Sequence, residues 1–122
     1  FLICLLSMTV FADTASSNKL IVNYIDVGQG DSELIECNGK FMLVDAGERE
    51  QGSVVVNYLK SRGVEKLDYV VATHPHSDHI GGMAEVLNNF PVDNIIMPKV
   101  NNTTATYTNM LKVIQQKGMN LK

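Results

Sequence analysis

All three histidines of the chain lie in one short segment, Thr73-His74-Pro75-His76-Ser77-Asp78-His79-Ile80-Gly81-Gly82, directly after the apolar run Tyr69-Val70-Val71-Ala72. Neutral imidazole nitrogens and a carboxylate oxygen are donors that Zn²⁺ and similar borderline cations take, and a catalytic site keeps one coordination position for water. The segment therefore points to metal-assisted hydrolysis. His74 and His76 stand two residues apart and project to the same side of an extended segment, so both can grip one ion. Asp78 and His79 follow a step later, where Gly81-Gly82 lets the backbone turn sharply into a helix, and this pair can aim at a second ion. Two divalent ions are expected, zinc first, with manganese tolerating the same donors. A zincin site differs, because its two histidines sit four apart on one helical face with a glutamate between them.

His74, His76, Asp78 and His79 fill every position of the pattern His-x-His-x-Asp-His, and here the chain resembles the metallo-β-lactamase-fold hydrolases. A second stretch, Ile25-Asp26-Val27-Gly28-Gln29-Gly30-Asp31-Ser32, followed by Val44-Asp45-Ala46-Gly47, resembles the branch related to the hydrolase domain of bacterial competence (DNA-uptake channel) proteins. The resemblance runs over residues 19–122. It implies an α/β fold, the first αβ half of a four-layer αβ/βα sandwich, whose second half supplies another histidine, a bridging aspartate and a last histidine. It also implies a hydroxide formed on the metals that attacks a phosphorus or carbonyl centre, with His76 and Asp78 in the catalytic set and Asp78 relaying a proton as well. Asp45 matches the carboxylate that orients a metal histidine through its second nitrogen; the bland alternative is a turn cap before Ala46-Gly47. Asp26, Gly28, Gln29, Gly30 and Asp31 form the branch's site loop, where glycines let the backbone approach the site, and the bland alternative is a plain hairpin turn.

The resemblance implies a hydrolase acting on phosphodiesters such as DNA, with β-lactams or other esters and amides as the alternative substrates. A non-catalytic extracytoplasmic metal-binding module is the alternative of a different class. Residues 94–122 contain no histidine, aspartate, glutamate or cysteine. With two protein ligands per ion, short of the usual three, the remaining ligands are expected in a second half of the same domain, outside this sequence. The expected partners are that half and a small-molecule or nucleic-acid substrate, with no transmembrane partner, and this stretch alone is expected to be inactive.

At 122 residues and 45% hydrophobic content the chain is too apolar for disorder and too short for more than one domain. A net charge of −3 leaves no basic footprint for nucleic acid. Lys60, Arg62 and Lys66 read as a solvated helix end, although two divalent ions would add four positive charges at the site itself. Residues 1–12 form an uncharged, mostly apolar run in which Val10-x-Ala12 suits cleavage before Asp13, the pattern of a signal-peptide core, so an extracytoplasmic location is expected. Residues 13–18 read as a linker. Cys4 lies in the apolar run and Cys37 reads as a core filler, which excludes an internal disulfide in a processed chain.

The elements that must position the histidines follow from periodicity. Strands are predicted over residues 20–27 and 32–37, then an Asn38-Gly39 type I′ turn and a third strand over 40–45. Ser53 is predicted to cap a helix carrying Val55, Tyr58 and Leu59 that stops at Gly63. A strand over 67–73 delivers the histidines, and Met83, Val86, Leu87 and Phe90 repeat at helical spacing. A short strand over 94–97 precedes a last helix marked by Tyr107, Met110, Leu111 and Ile114, entered through the polar run Asn101-Asn102-Thr103-Thr104 and ended before Gly118.

Overall fold

The computed structural model describes residues 19–122; the expected signal-peptide core and linker, with Cys4, lie outside the described residues. Strands β1 (Leu20–Tyr24), β2 (Glu33–Cys37) and β3 (Lys40–Val44) form an antiparallel meander. Asn38 and Gly39 close its second turn with φ of 50° and 73°, the positive pair that a type I′ hairpin requires. A 3₁₀ turn (Arg49–Gln51) runs into α1 (Gly52–Ser61), and β4 (Leu67–Val71) then pairs parallel with β3. Helices α2 (Ser77–Ile80) and α3 (Met83–Asn89) cross to β5 (Val92–Ile96), parallel to β4, and α4 (Ala105–Gln116) follows. The five strands lie in chain order, and Leu121 bridges the outer side of β5. Parallel neighbours need a crossover, and the two crossovers carry α1 and the α2–α3 pair.

One ladder runs across the sheet. Leu34 pairs with Leu43, Leu43 with Val70 and Val70 with Ile95, and all four are fully buried. Val55 and Leu59 of α1, Met83, Val86 and Leu87 of α3, and Met110 of α4 close over the same cluster. Each such side chain contributes roughly 1.5–3 kcal/mol relative to exposure, which overrides the strand preference of Val54-Val55-Val56 and keeps them helical. Residues alternate along the strands, so the opposite face carries Val22, Met42, Tyr69 and Ile96, and Val22, Tyr69 and Ile96 remain about two-fifths exposed. Among the described residues no helix is long and apolar enough to cross a membrane.

Several expectations shift. The first strand ends at Tyr24, because Ile25 and Val27 leave the sheet to enter the core from a loop. Ser53 is not the cap of α1: the 3₁₀ turn hands its helical backbone directly to Gly52, and the N-cap position falls on Gln51 without a side-chain bond. Thr104 does cap α4, accepting from the Tyr107 amide at 3.3 Å. Cys37 is half-buried at the end of β2 rather than in the core. Of the basic cluster, Arg62 pairs with Glu36 at 2.9 Å and Lys66 with Asp93.

The three loops at one end of the sheet are stitched together through backbone. Asp31 N–H donates to the Asp78 carbonyl at 3.3 Å, Ala46 N–H to that of His79 at 2.7 Å, Gly47 N–H to that of Asp31 at 3.0 Å and Gly82 N–H to that of Gly47 at 3.1 Å. Such closeness needs glycine. Gly81 and Gly82 keep ordinary helical φ, so they are not there to turn the chain as expected; they are there for space. A Cβ on Gly81 would sit 2.3 Å from the Arg49 nitrogen, and one on Gly82 2.4 Å from the Ala46 oxygen. Gly30 combines φ +104° with a would-be Cβ 1.8 Å from the Asp78 oxygen.

Two outcomes test this account. Gly30→Ala should destabilise the fold by more than the roughly 1–3 kcal/mol of a strained backbone alone, whereas Gly28→Ala, at φ +69° with open space around it, should lose only the strain; thermal unfolding of the two variants ranks them. Asp68, buried at the start of β4, accepts from Lys40 Nζ at 2.8 Å and the Phe41 amide at 3.0 Å. These bonds hold its carboxyl below the ordinary aspartate range. Its contribution is therefore complete above about pH 4, the unfolded value, and fades as pH falls through the lower folded value. Asp68→Asn should cost about 1–3 kcal/mol at pH 7, and the gap to the unmodified protein should close in urea titrations taken down toward pH 3.

Candidate metal centre

β4 ends at Val71, and Ala72 stays buried, so the chain leaves the sheet with Thr73 to His76 at its rim. Helix α2 then begins with His76 in extended geometry at its N-cap, and buried Ile80 pins the other end of the turn. Between these two anchors the imidazoles meet. The rings of His74 and His79 lie 3.8 Å apart between centroids, tilted by 52°, and His76 lies edge-on to His74 at 4.8 Å. Asp78 Oδ2 is 3.9 Å from His79 Nε2. The sequence pairs His74 with His76 and Asp78 with His79. In the fold the closest ring pair is His74 with His79, because one turn of α2 brings His79 back over the strand exit.

Asp45 sits beneath them, 1% exposed, at the end of β3 with φ +55°. Its Oδ1 accepts from the Thr73 amide at 2.8 Å; its Oδ2 accepts from the Thr73 hydroxyl and from His79 Nδ1, the latter at 2.8 Å. Potential donor atoms of Asp45, His74 and His79 all fall within 4.8 Å of one another. Asp45 is nevertheless poorly placed to be a ligand. A carboxylate already accepting three hydrogen bonds in a buried pocket is spent on its donors, and the bond to Nδ1 fixes the His79 tautomer with its Nε2 lone pair outward. Both the donor chemistry and this outward nitrogen fit a divalent cation held by His74, His76, Asp78 and His79.

The site loop is divided. Asp31 reaches the cluster, with Oδ2 3.6 Å from His79 Nδ1, and is held there by the amide it donates to the Asp78 carbonyl. Asp26 turns Oδ1 onto the Gly28 amide at 3.1 Å, a local Asx-type bond, and Gln29 is exposed. Gly28 and Gly30 both take positive φ. The loop is longer than a plain hairpin turn, closed by Ile25 N–H on the Ser32 carbonyl at 2.9 Å. Ser32, buried, donates its hydroxyl to the Asp45 carbonyl at 3.1 Å.

Sequence reasoning gave no role to Thr73, Ser32 or Glu33. Thr73 carried a signal, since it directly precedes the first histidine at a strand exit. Glu33 carried none, as its place depends on how β2 leaves the loop. Burial pushes the Glu33 carboxyl above its ordinary value, with repulsion from Asp31 and Asp45 adding to the shift and the His79 imidazole opposing it.

Residues 25–104 match the metallo-beta-lactamase superfamily. The chain is 33% identical over 91 residues to Recombination protein 2 of Haemophilus influenzae, an alignment covering 70% of this chain and 11% of that protein. It is 33% identical over 75 residues to Competence protein ComA of Neisseria gonorrhoeae, covering 61% of this chain and 11% of that one. The chain thus spans about a tenth of the length of these curated relatives. Among solved structures, the metallo-beta-lactamase SMB-1 superposes with a TM-score of 0.55 at 22% identity, over 62% of this chain and 29% of that one, a likeness of fold. The mixed sheet, the strand exit bearing His74 and His76, and the match over residues 25–104 agree: the chain belongs to the metallo-β-lactamase superfamily, with competence proteins among its relatives.

Proposed function

We propose that the protein is an exported metal-dependent hydrolase that cleaves phosphodiesters such as DNA. The observation that carries the metal reading is the convergence of His74, His76, Asp78 and His79 above a buried carboxylate that turns His79 Nε2 outward. The phosphodiester choice is supported by similarity to proteins named for recombination and competence. Export is supported by the uncharged apolar run of residues 1–12. A second half of the domain, packed on the open sheet face of Val22, Met42, Tyr69 and Ile96, would bring the further ligands.

A bound divalent cation, zinc first, supplies Lewis acidity toward the scissile centre and makes water a better nucleophile at neutral pH. The chain's own groups do the rest. His74 offers its ring from the loop that leaves β4 and His79 from α2, and the shared bonds to Asp45 and Thr73 hold the two together. Asp78, half-buried beside His79 Nε2, can hold a proton on its free oxygen. Asp45 keeps His79 from rotating and makes its outward Nε2 a better donor to a cation.

Metal content and cleavage of a phosphodiester by the full-length protein test this directly. Zinc should bind, a chelator should abolish cleavage, and His76→Ala and Asp78→Ala should each lower activity by more than the ~10–100-fold that loss of a ligand-orienting residue costs. Turnover of an ester or a β-lactam with no phosphodiester cleavage would overturn the substrate choice. Zinc binding with no turnover at all would leave a binding module. Asp45→Asn should weaken zinc binding by about 10–100-fold while every ligand remains, read by competition with a chromophoric chelator.

A further inference from the structure

The Thr73 hydroxyl lies between Asp45 and His74. It donates to Asp45 Oδ2 and stands 3.0 Å from His74 Nδ1. A threonine hydroxyl carries one proton, and a carboxylate has none to give. With that proton committed to Asp45, the contact with His74 can be a hydrogen bond only when His74 Nδ1 is the donor and Thr73 Oγ1 the acceptor. We infer that Thr73 is a positioning residue that sets the His74 tautomer, protonated at Nδ1, and so presents the Nε2 lone pair to the metal.

One buried carboxylate then orients two imidazoles. It holds His79 directly at 2.8 Å and His74 through one intervening hydroxyl. The geometry gives Thr73 little freedom, because its own amide donates to the other oxygen of Asp45 at 2.8 Å, so backbone and side chain grip the same carboxylate. Neutral histidine otherwise divides its proton between two nitrogens, and a ligand in the wrong tautomer must lose or move that proton before it can bind. The arrangement removes that step for the two histidines whose rings lie closest.

The inference rests on the metal-site reading, but its first readout needs no metal. Nitrogen-15 NMR of the metal-free full-length protein, at a pH where His74 is neutral, reports which ring nitrogen carries the proton. The Nδ1–H form should dominate in the unmodified protein and in Thr73→Ser, which keeps the hydroxyl. In Thr73→Val, a near-isostere without it, His74 should become a mixture of tautomers, and zinc affinity should fall by about 10–100-fold while Thr73→Ser restores it. A His74 protonated at Nε2 in the unmodified protein overturns the inference, as does a Thr73→Val variant with unchanged tautomer and affinity. Should Thr73→Val fail to fold, the unmodified protein and Thr73→Ser still decide by their tautomer. A protein that binds no zinc would sink the metal reading, whereas the tautomer measurement separately decides the role of Thr73.

Discussion

The carboxylate of Asp45 is the constraint on which the site depends. A buried carboxylate is costly unless its oxygens are filled, and here three donors fill them, two from Thr73 and one from His79. The strand exit and α2 are thereby tied to the end of β3 through one side chain. Asp45 takes a left-handed φ of 55°, uncommon for a residue other than glycine, though aspartate tolerates it better than most. That backbone turn directs the side chain under the histidines and lets Ala46 donate to the His79 carbonyl. Main chain and side chain of one segment therefore grip the same histidine from two sides.

The glycines serve the same end by a different means. Gly30, Gly81 and Gly82 stand where two backbones approach closer than a Cβ permits, so the three loops behave as one body although they are far apart in sequence. Rigid placement matters for a cation site because ligand nitrogens are useful only at fixed separations. The sheet supplies this from below. The ladder Leu34, Leu43, Val70 and Ile95 fixes where β3 and β4 end, hence where Asp45 and Thr73 stand.

Much of this was legible in the sequence, for identifiable reasons. The histidine segment was readable because its chemistry is local: donor type and spacing are both written in consecutive residues. The Asn38-Gly39 turn was readable because few residue pairs accept positive φ twice. Ser53 misled because capping is inferred from one residue, whereas the helix start was decided by a preceding 3₁₀ turn and by close packing of Gly52 on Gly82. The first strand was drawn too long because Ile25 and Val27 carry the same apolar signal whether they enter the core from a strand or from a loop. The close approach of the His74 and His79 rings could not be read from spacing, since it arises from α2 folding back over the strand exit.

The electrostatics of the mouth bear on the substrate in a way the total charge does not. Asp31, Asp45 and Asp78 surround the imidazoles, and nearby the Glu33 carboxyl is raised by burial first and by Asp31 and Asp45 after it. Without a cation, such a surface repels phosphate. With two divalent ions the same carboxylates become the counter-charge of a strongly positive centre, four charges set against an acidic chain of −3. The attraction for an anionic substrate then resides in the loaded site and needs no lysine or arginine stripe. An acidic chain and a phosphodiester substrate are compatible on these terms, and the dependence of substrate binding on metal loading should be steeper than in a protein that also holds phosphate with fixed basic side chains.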